Sequence, residues 1–235
     1  MKGSLVCASM DVNFFLMTNA ESDVTHITCR CIERARWALK PKDINFAWEI
    51  AFGAGQNRSK CVAISNFFLH TEIPYLISID RDMAFSPDHL EKLYTNLKDG
   101  YDLIAGIYCM RSGKGLSGKR ETAYYLNGEI QEFLSVPWGF TGISRKLLQK
   151  MVDELSLPLV GEELKYYPFC EEKLSEDRTT LMGDDTSFCE KAHQVGIQPY
   201  VDTSIQVGHF GDHIFTIEDF ISYQEKEAKK KAAES

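Results

Sequence analysis

The stretch that most constrains the fold is IPYLISIDRDMAFSPDHL, in which a short apolar run leads directly into two aspartates. Residues 75–79 are uncharged and partly β-branched, which is typical of a strand in the middle of a parallel sheet, where both faces are covered. Open α/β sheets bind their ligands in the crevice outside the carboxyl ends of such strands. We therefore expect Asp80 and Asp82 to meet a metal ion or a reacting group there.

The same acidic loop also has a structural interpretation. Ser86 and Pro87 are typical of the N-cap and the first residue of a helix. Acidic residues close to a helix N-terminus stabilise it through the helix dipole. On this segment alone, the functional and the structural interpretations both stay open.

The order of the predicted elements indicates a parallel sheet with crossover helices. Strands are predicted at 4–10, 44–50, 75–79 and 101–110, and helices at 28–40, 54–70 and 89–97. In the second half, runs at 124–126 and 130–133 flank an Asn-Gly pair, which favours an antiparallel hairpin. The sequence thus predicts an α/β fold: a Rossmann-like, parallel-rich central sheet with helices on both faces and a small antiparallel ribbon.

Composition narrows the class of protein. The chain has 34 acidic and 26 basic residues, and its lysines are scattered until a short tail, so no basic face for nucleic acid is expected. Seven cysteines, an odd number, fit a reducing compartment, and we expect a cytoplasmic protein. No apolar run approaches the roughly 20 residues of a membrane span, so we expect no transmembrane segment.

The segment VPWGFTGIS has the small and aromatic residues of a ligand-binding turn. Gly139 would let the backbone approach a ligand closely, and the rings of Trp138 and Phe140 could stack on it. Glycine–aromatic turns that only pack inside a protein are at least as common. Both interpretations stay open for these three residues.

Two further segments carry residues suited to chemistry. Asp184 and Asp185 begin a predicted helix, where one aspartate is explained as an N-cap and the other is free to act as a general base. His209 ends a predicted strand between two glycines. It is either a core histidine or a ligand that completes a metal site begun by Asp80 and Asp82.

Two chemistries combine a strand ending in Asp-x-Asp with a later pair of aspartates. In haloacid-dehalogenase-type phosphatases the first aspartate is a nucleophile near the N-terminus, and Thr or Val follows the second aspartate by two residues. Here that position is Ala84, and no further aspartate closely follows Asp185. These differences make a phosphatase the weaker alternative.

The chain resembles the nucleotide-sugar-dependent glycosyltransferases of the GT-A fold over roughly residues 4–213. The resemblance rests on four segments in order: the stretch from QNRSK to DHLEKL, then DLIAGIYCMR, WGFTGISRKLL and GDDTSFCEKAHQVGIQPYVDTSIQVGHFG. It implies one GT-A-like domain over residues 1–216, with a nucleotide-binding part to about 110 and an acceptor and catalytic part over 111–216. Residues 217–235 are expected to form a charged helix and tail.

The resemblance assigns a role to each candidate residue. It implies that Asp80, Asp82 and His209 hold Mn²⁺ or Mg²⁺ on the donor diphosphate, and that Asp185, beside Asp184, is the base of an inverting reaction. The nucleotide pocket is expected to include Ser9, Met10, Asp11, Asn57, Arg58, Asp80, Arg81 and Asp82. Arg81 also has a favoured alternative, an ion pair within the fold. Substrate contacts are expected from Trp138, Gly139, Phe140 and His213.

These expectations define a metal-dependent transferase. It would move a sugar from a nucleotide-diphosphate sugar, most often a UDP-sugar in this class, to a hydroxyl of a glycan or glycoconjugate acceptor. The alternative from another class is a carbohydrate- or nucleotide-binding module that has the fold without turnover. Only product formation separates the two.

Overall fold

A computed structural model describes residues 12–20, 23–52, 56–120, 126–162, 164–175 and 178–234. The described strands are β1 Phe14–Ala20, β2 Phe46–Phe52, β3 Tyr75–Asp80, β4 Met83–Ala84, β5 Leu103–Tyr108, β6 Ile130–Glu132, β7 Phe140–Ser144, β8 Lys173–Leu174, β9 Leu181–Met182, β10 Tyr200–Phe210 and β11 Ile214–Phe215. The described helices are α1 His26–Leu39, α2 Gln56–His70, α3 Pro87–Lys98, α4 Arg145–Glu154, α5 Asp184–Gln194 and α6 Ile217–Glu234.

The central sheet has the order β11-β10-β5-β7-β3-β1-β2, and β4 and β6 pair with β10 outside this path. Strands β1, β2 and β3 are parallel, and so are β5 and β10, whereas β7 runs antiparallel between β3 and β5. The carboxyl ends of β1, β3, β5 and β10 therefore lie at one edge of the sheet, where β7 begins. A separate two-stranded antiparallel sheet joins β8 and β9.

Helices cover both faces of the sheet because its buried strands have apolar side chains in both directions. In β1, Phe15 and Met17 pack into the core formed with α2, α4 and α5, and Phe14 and Leu16 pack into the core formed with α1 and α3. A strand buried on both faces has a continuous apolar sequence, and FFLM is such a run. The predicted α/β architecture, with helices on both faces and a small antiparallel ribbon, is confirmed.

Four local predictions have different outcomes. Ser86 is the N-cap of α3, with Pro87 in the first helical turn, as the sequence predicts. The strand predicted at 4–10 lies outside the described residues, and the first described strand is β1, which was not predicted. For the hairpin, residues 121–125 lie outside the described part, and β6 pairs with β10. Helix α6 begins at Ile217, where the charged helix and tail were expected to start.

Candidate active site

A cavity of about 790 Å³ opens at the edge where the parallel strands end. Its wall includes Asn19 from β1, Asp80 from β3, Tyr108 from β5 and His209 from β10. The start of α5 adds a further side, with Asp185 and Thr186. The sheet topology thus brings residues that are far apart in the sequence to one place, as expected for an open α/β sheet.

Asp82 and His209 are held together by strand pairing. Strand β4 pairs antiparallel with β10, with Met83 opposite His209, and the Phe210 amide donates to the Asp82 carbonyl oxygen at 2.7 Å. Nε2 of His209 lies 3.4 Å from Oδ1 of Asp82, and the Arg111 guanidinium forms an ion pair with Oδ2. The Asp82 side chain is only 7% exposed, so the positive charge of Arg111 offsets the cost of burying its carboxylate.

His209 is suited to bind a metal as a neutral imidazole. Burial lowers its pKa below the ordinary value, and the nearby Arg111 charge lowers it further, although Asp80 acts in the opposite direction. The ring packs edge-on against Tyr108, with 5.2 Å between the ring centroids. At neutral pH the ring is therefore unprotonated, with a nitrogen lone pair for coordination.

Asp80 ends β3 and lies beside Asn19 in the sheet register. Its pKa is raised above the ordinary value, because burial and the negative charges of Asp184 and Asp185 outweigh the attraction of Lys60. A bound cation would reverse this balance, since a nearby positive charge stabilises the carboxylate. Asp80 thus occupies a position where a cation would be bound favourably.

Lys60, from α2, forms an ion pair with Asp184. Its Nζ lies 2.5 Å from Oδ2, and the exposed fractions of the two side chains are 7% and 18%. Burial lowers the pKa of Lys60, but Asp80 and Asp184 raise it by more, so it lies above its ordinary value. Lys60 therefore stays positively charged beside the cavity.

The contact between Lys60 and Asp184 corrects the prediction that an aspartate caps α5. Gly183 is the N-cap of α5, without a side-chain cap, and Asp184 is the first helical residue. Oδ2 of Asp184 is turned to Lys60 across the site. The sequence alone favoured a cap because aspartate is common there, but a buried lysine from another helix takes the carboxylate instead.

Asp185 lines the cavity, as the sequence predicts for a base. Its Oδ1 accepts hydrogen bonds from the amide of Thr186 at 2.6 Å and from the Thr186 hydroxyl at 3.3 Å. These contacts hold the carboxylate at the N-terminus of α5, where the helix dipole favours negative charge. The arrangement suits a general base that takes a proton from a hydroxyl group.

Gly139 has a packing role behind the first aspartate. Its carbonyl oxygen accepts from the Asp80 amide at 3.1 Å, and a Cβ at this position would lie 2.7 Å from the Tyr108 ring. Burial, and then Asp80 and Asp185, raise the pKa of Tyr108 well above its ordinary value. Tyr108 therefore stays protonated. Because Gly139 has no Cβ, the Tyr108 ring can approach the loop before β7 closely.

The residues predicted to contact the substrate do not line the cavity. Phe140 is fully buried against Phe85, at 5.1 Å between centroids, and has no surface for a ligand. Trp138 is buried against Phe188, at 5.0 Å, outside the cavity lining. His213 lies in an exposed turn, 3.4 Å from Asp219 and outside the lining. The rings of Trp138 and Phe140 therefore fill the core.

The predicted nucleotide-pocket residues are only partly described. Ser9, Met10 and Asp11 lie outside the described residues, and nothing is described for the Asn57 side chain. Arg58 is exposed, with its guanidinium 5.8 Å from the Tyr166 ring, and does not line the cavity.

Arg81 does line the cavity. Its Nη1 lies 3.4 Å from the Asp23 carbonyl oxygen, and its own carbonyl oxygen accepts from Thr25 and Thr28. These contacts join the acidic loop to the start of α1.

The cavity residues that were not predicted from the sequence include Asn19, Lys60, Tyr108 and Arg111. Lys60 had a signal, because it lies at helical spacing from Ile64 and Phe67 on the buried face of α2, where a lysine needs a partner. Arg111 also had one, since it follows a buried strand at the same sheet edge. Asn19 had none, because the strand that carries it was not predicted.

The oxygen and nitrogen atoms that could coordinate a metal in this cavity suit a divalent cation that takes its remaining ligands from a substrate. Within the described ranges, no three His, Cys, Asp or Glu side chains form a metal-binding group by themselves. Asp82 and His209 are a close pair of suitable ligands, however, with Asp80 on the same cavity wall. Mg²⁺ and similar cations often take one or two carboxylates and receive the remaining ligands from substrate phosphates.

Solved structures with the same fold identify the class of architecture. The crystal structure of A197 from STIV is 16% identical, with a TM-score of 0.53, and the match covers 85% of this chain and 86% of that one. The structure of GalNAc-T7 with UDP, GalNAc and Mn²⁺ is 8% identical, with a TM-score of 0.52. That match covers 91% of this chain and 48% of the longer protein, so this chain spans about half of that protein's length. This is the fold of the GT-A glycosyltransferases.

Residues 53–154 match the family model described as Glycosyl transferase family 2. The matched segment includes β3 with the two aspartates, β5, β7 and the whole of α4. No match to a curated protein was found. The predicted resemblance to GT-A glycosyltransferases is confirmed, by the shared fold over most of the chain and by the match to this family model over residues 53–154. In the described part of the chain, no helix is both long and apolar enough to span a bilayer.

Proposed function

We propose that this protein transfers a sugar from a UDP-sugar to a hydroxyl of a glycan or glycoconjugate, with a divalent cation and with inversion at the anomeric carbon. The observation that carries the proposal is one cavity that joins the Asp82–His209 pair to the carboxylate of Asp185. A transferase of this kind needs a cation site for the leaving diphosphate and a base for the acceptor. Side chains suited to each role, Asp82 with His209 and Asp185, line the same cavity, which supports the proposal.

The donor side is suited to a diphosphate. Asp82 and His209, with Asp80 beside them, would hold Mn²⁺ or Mg²⁺, which would neutralise the charge that develops on the leaving group. Lys119 and Arg111 also line the cavity and add positive charge there. Beside the carboxylates of the cavity, these two basic side chains offer pairing groups to an anionic ligand, even though the whole chain has a formal charge of −8.

The acceptor side uses Asp185. As the acceptor oxygen forms its bond to the anomeric carbon, the bond from that carbon to the diphosphate oxygen breaks, and the hydroxyl proton moves to the Asp185 carboxylate. The Thr186 amide and hydroxyl hold Oδ1 in place. Attack from the face opposite the leaving group inverts the anomeric configuration.

Calorimetry with UDP tests the donor site. We expect UDP to bind with Mn²⁺ and to lose most of its affinity in EDTA or in Asp82→Asn. The matched control is Asp88→Asn, which makes the same change at an exposed residue in the first turn of α3. Equal UDP affinity with and without Mn²⁺, together with normal binding by Asp82→Asn, would remove the metal role from this loop.

A second measurement separates an enzyme from a binding module. Nucleotide sugars are incubated with the protein and Mn²⁺, with and without sugar acceptors, and free nucleotide diphosphate is measured. Release of UDP identifies the donor, since transfer to water often accompanies transfer to sugars. Tight UDP binding without product from any tested donor and acceptor would favour the non-catalytic alternative.

A further inference from the structure

The carboxylate of Asp82 is already occupied by a positive group within the protein. Arg111 pairs with Oδ2, and His209 approaches Oδ1. A buried carboxylate without a partner is strongly unfavourable, so the guanidinium stabilises this site. The same carboxylate belongs to the proposed metal site, and the guanidinium therefore lies where a cation would have to bind.

Arg111 is carried by a loop that can release it. It follows β5 in a turn closed by backbone hydrogen bonds from Met110 to Gly115, at 2.9 Å, and from Gly113 to Met110, at 2.8 Å. These bonds do not involve the Arg111 side chain, half of whose surface is exposed. Rotation of that side chain would break its ion pair and leave the backbone of the turn and the sheet unchanged.

We propose that Arg111 and a divalent cation compete for the Asp82 carboxylate, and that the released guanidinium binds the diphosphate of the nucleotide. This inference rests on the proposed function. Two positive groups cannot share one carboxylate at short range without repulsion. Arg111 lines the same cavity, and a guanidinium is well matched to phosphate oxygens, to which it can donate two parallel hydrogen bonds.

Competition predicts coupling between the two ligands. Mn²⁺ alone must displace Arg111 and leave it without an anionic partner, so it binds weakly. With UDP present, the diphosphate receives the guanidinium, so each ligand raises the affinity for the other. If Arg111 holds Asp82 in about nine of ten molecules, the apparent Kd for Mn²⁺ is about tenfold weaker than that of the unblocked site.

The test compares Arg111→Gln with the full-length protein. Binding of Mn²⁺ alone is followed by the electron paramagnetic resonance signal of free Mn²⁺, and UDP binding at saturating Mn²⁺ is followed by calorimetry. We expect Arg111→Gln to bind Mn²⁺ alone about tenfold more tightly and UDP at least about tenfold more weakly. Lys114→Gln is the matched control, because it removes an exposed positive charge from the same turn without lining the cavity. It should change Mn²⁺ affinity by less than about threefold.

Arg111→Lys is a control for misfolding of Arg111→Gln, since lysine keeps a positive charge beside Asp82 but lacks the two parallel donors of the guanidinium. It should lie between wild type and Arg111→Gln in both measurements. Unchanged Mn²⁺ affinity in Arg111→Gln, with UDP binding still dependent on Mn²⁺, would overturn the competition and leave the proposed function intact. UDP binding that does not depend on Mn²⁺ but is lost in Arg111→Gln would also overturn the competition, because Arg111 would then take the place of the metal. Failure of every variant to bind Mn²⁺ and UDP would refute both proposals.

Discussion

Replacing Asp184 by asparagine tests whether the start of α5 is stabilised by an ion pair or by a helix cap. The asparagine has the same shape but no charge, so Lys60 loses its closest carboxylate. The Lys60 side chain is 7% exposed, and Nζ lies 2.5 Å from Asp184. We therefore expect Asp184→Asn to destabilise the protein through an unpaired buried charge.

The size of the loss follows from burial. Removing one partner of a fully buried ion pair costs about 3–5 kcal/mol. Asp184 is 18% exposed, and Asp80 remains near Lys60 to offset part of the loss, so we expect about 2–3 kcal/mol. For a domain of this size, this lowers Tm by about 4–12 °C. Loss of a cap alone would cost about 1 kcal/mol.

Thermal and urea unfolding at neutral pH measure this loss. Because the folded-state pKa of Lys60 is raised, its stabilisation is fully present below the ordinary lysine pKa and is lost as the pH rises through the folded-state value. Asp88→Asn is the control for an exposed first-turn aspartate. In a Lys60→Met background, Asp184→Asn should cost less than about 1 kcal/mol. A loss below about 1 kcal/mol in the wild-type background, or an equal loss in both, would refute the buried ion pair.

Three further changes test the cavity. Asp185→Asn should lower transfer to a sugar acceptor by about 10²–10⁴-fold, with UDP affinity and Tm retained, since asparagine cannot accept the proton; transfer at the wild-type rate would reject Asp185 as the base. His209→Ala should weaken Mn²⁺-dependent UDP binding in calorimetry without unfolding the protein, whereas a lower Tm with unchanged metal affinity would indicate a core histidine. Gly139→Ala should lower stability in urea by about 1–3 kcal/mol because its Cβ would lie 2.7 Å from Tyr108, and an unchanged midpoint would contradict that close packing.

Much of the fold could be predicted because its elements have clear local signals. The apolar run before Asp80 and the Ser86–Pro87 pair gave the end of β3 and the start of α3 within a residue or two. Strand β1 was missed because a fully buried strand has no alternation, and a short apolar run is equally compatible with a helix. The strand placed instead at 4–10 lies outside the described residues.

The sequence placed residues at the cavity where polar side chains lie at or just after the end of a strand, as at Asp80, Asp82 and His209. The contacts of Lys60 and Arg111 were not predictable, because each pairs with a carboxylate that is distant in the sequence. Pattern analysis also assigned Phe140 to a ligand, although the ring fills the core. A glycine-flanked aromatic looks the same in both situations, and only tertiary packing separates them.

Strand β10 has a consequence for the order in which the protein folds. Within the described residues, it pairs with β4, β5, β6 and β11, so it closes the sheet on the side of the cavity and contributes His209. Its pairing with β5 joins residues about a hundred positions apart, and such long-range contacts form slowly. During synthesis, β5 therefore has an unpaired edge until the chain has been made to about residue 210. If nucleotide binding needs His209, as proposed, the nucleotide cannot stabilise any earlier intermediate, and ligand-assisted folding begins only after β10 has docked.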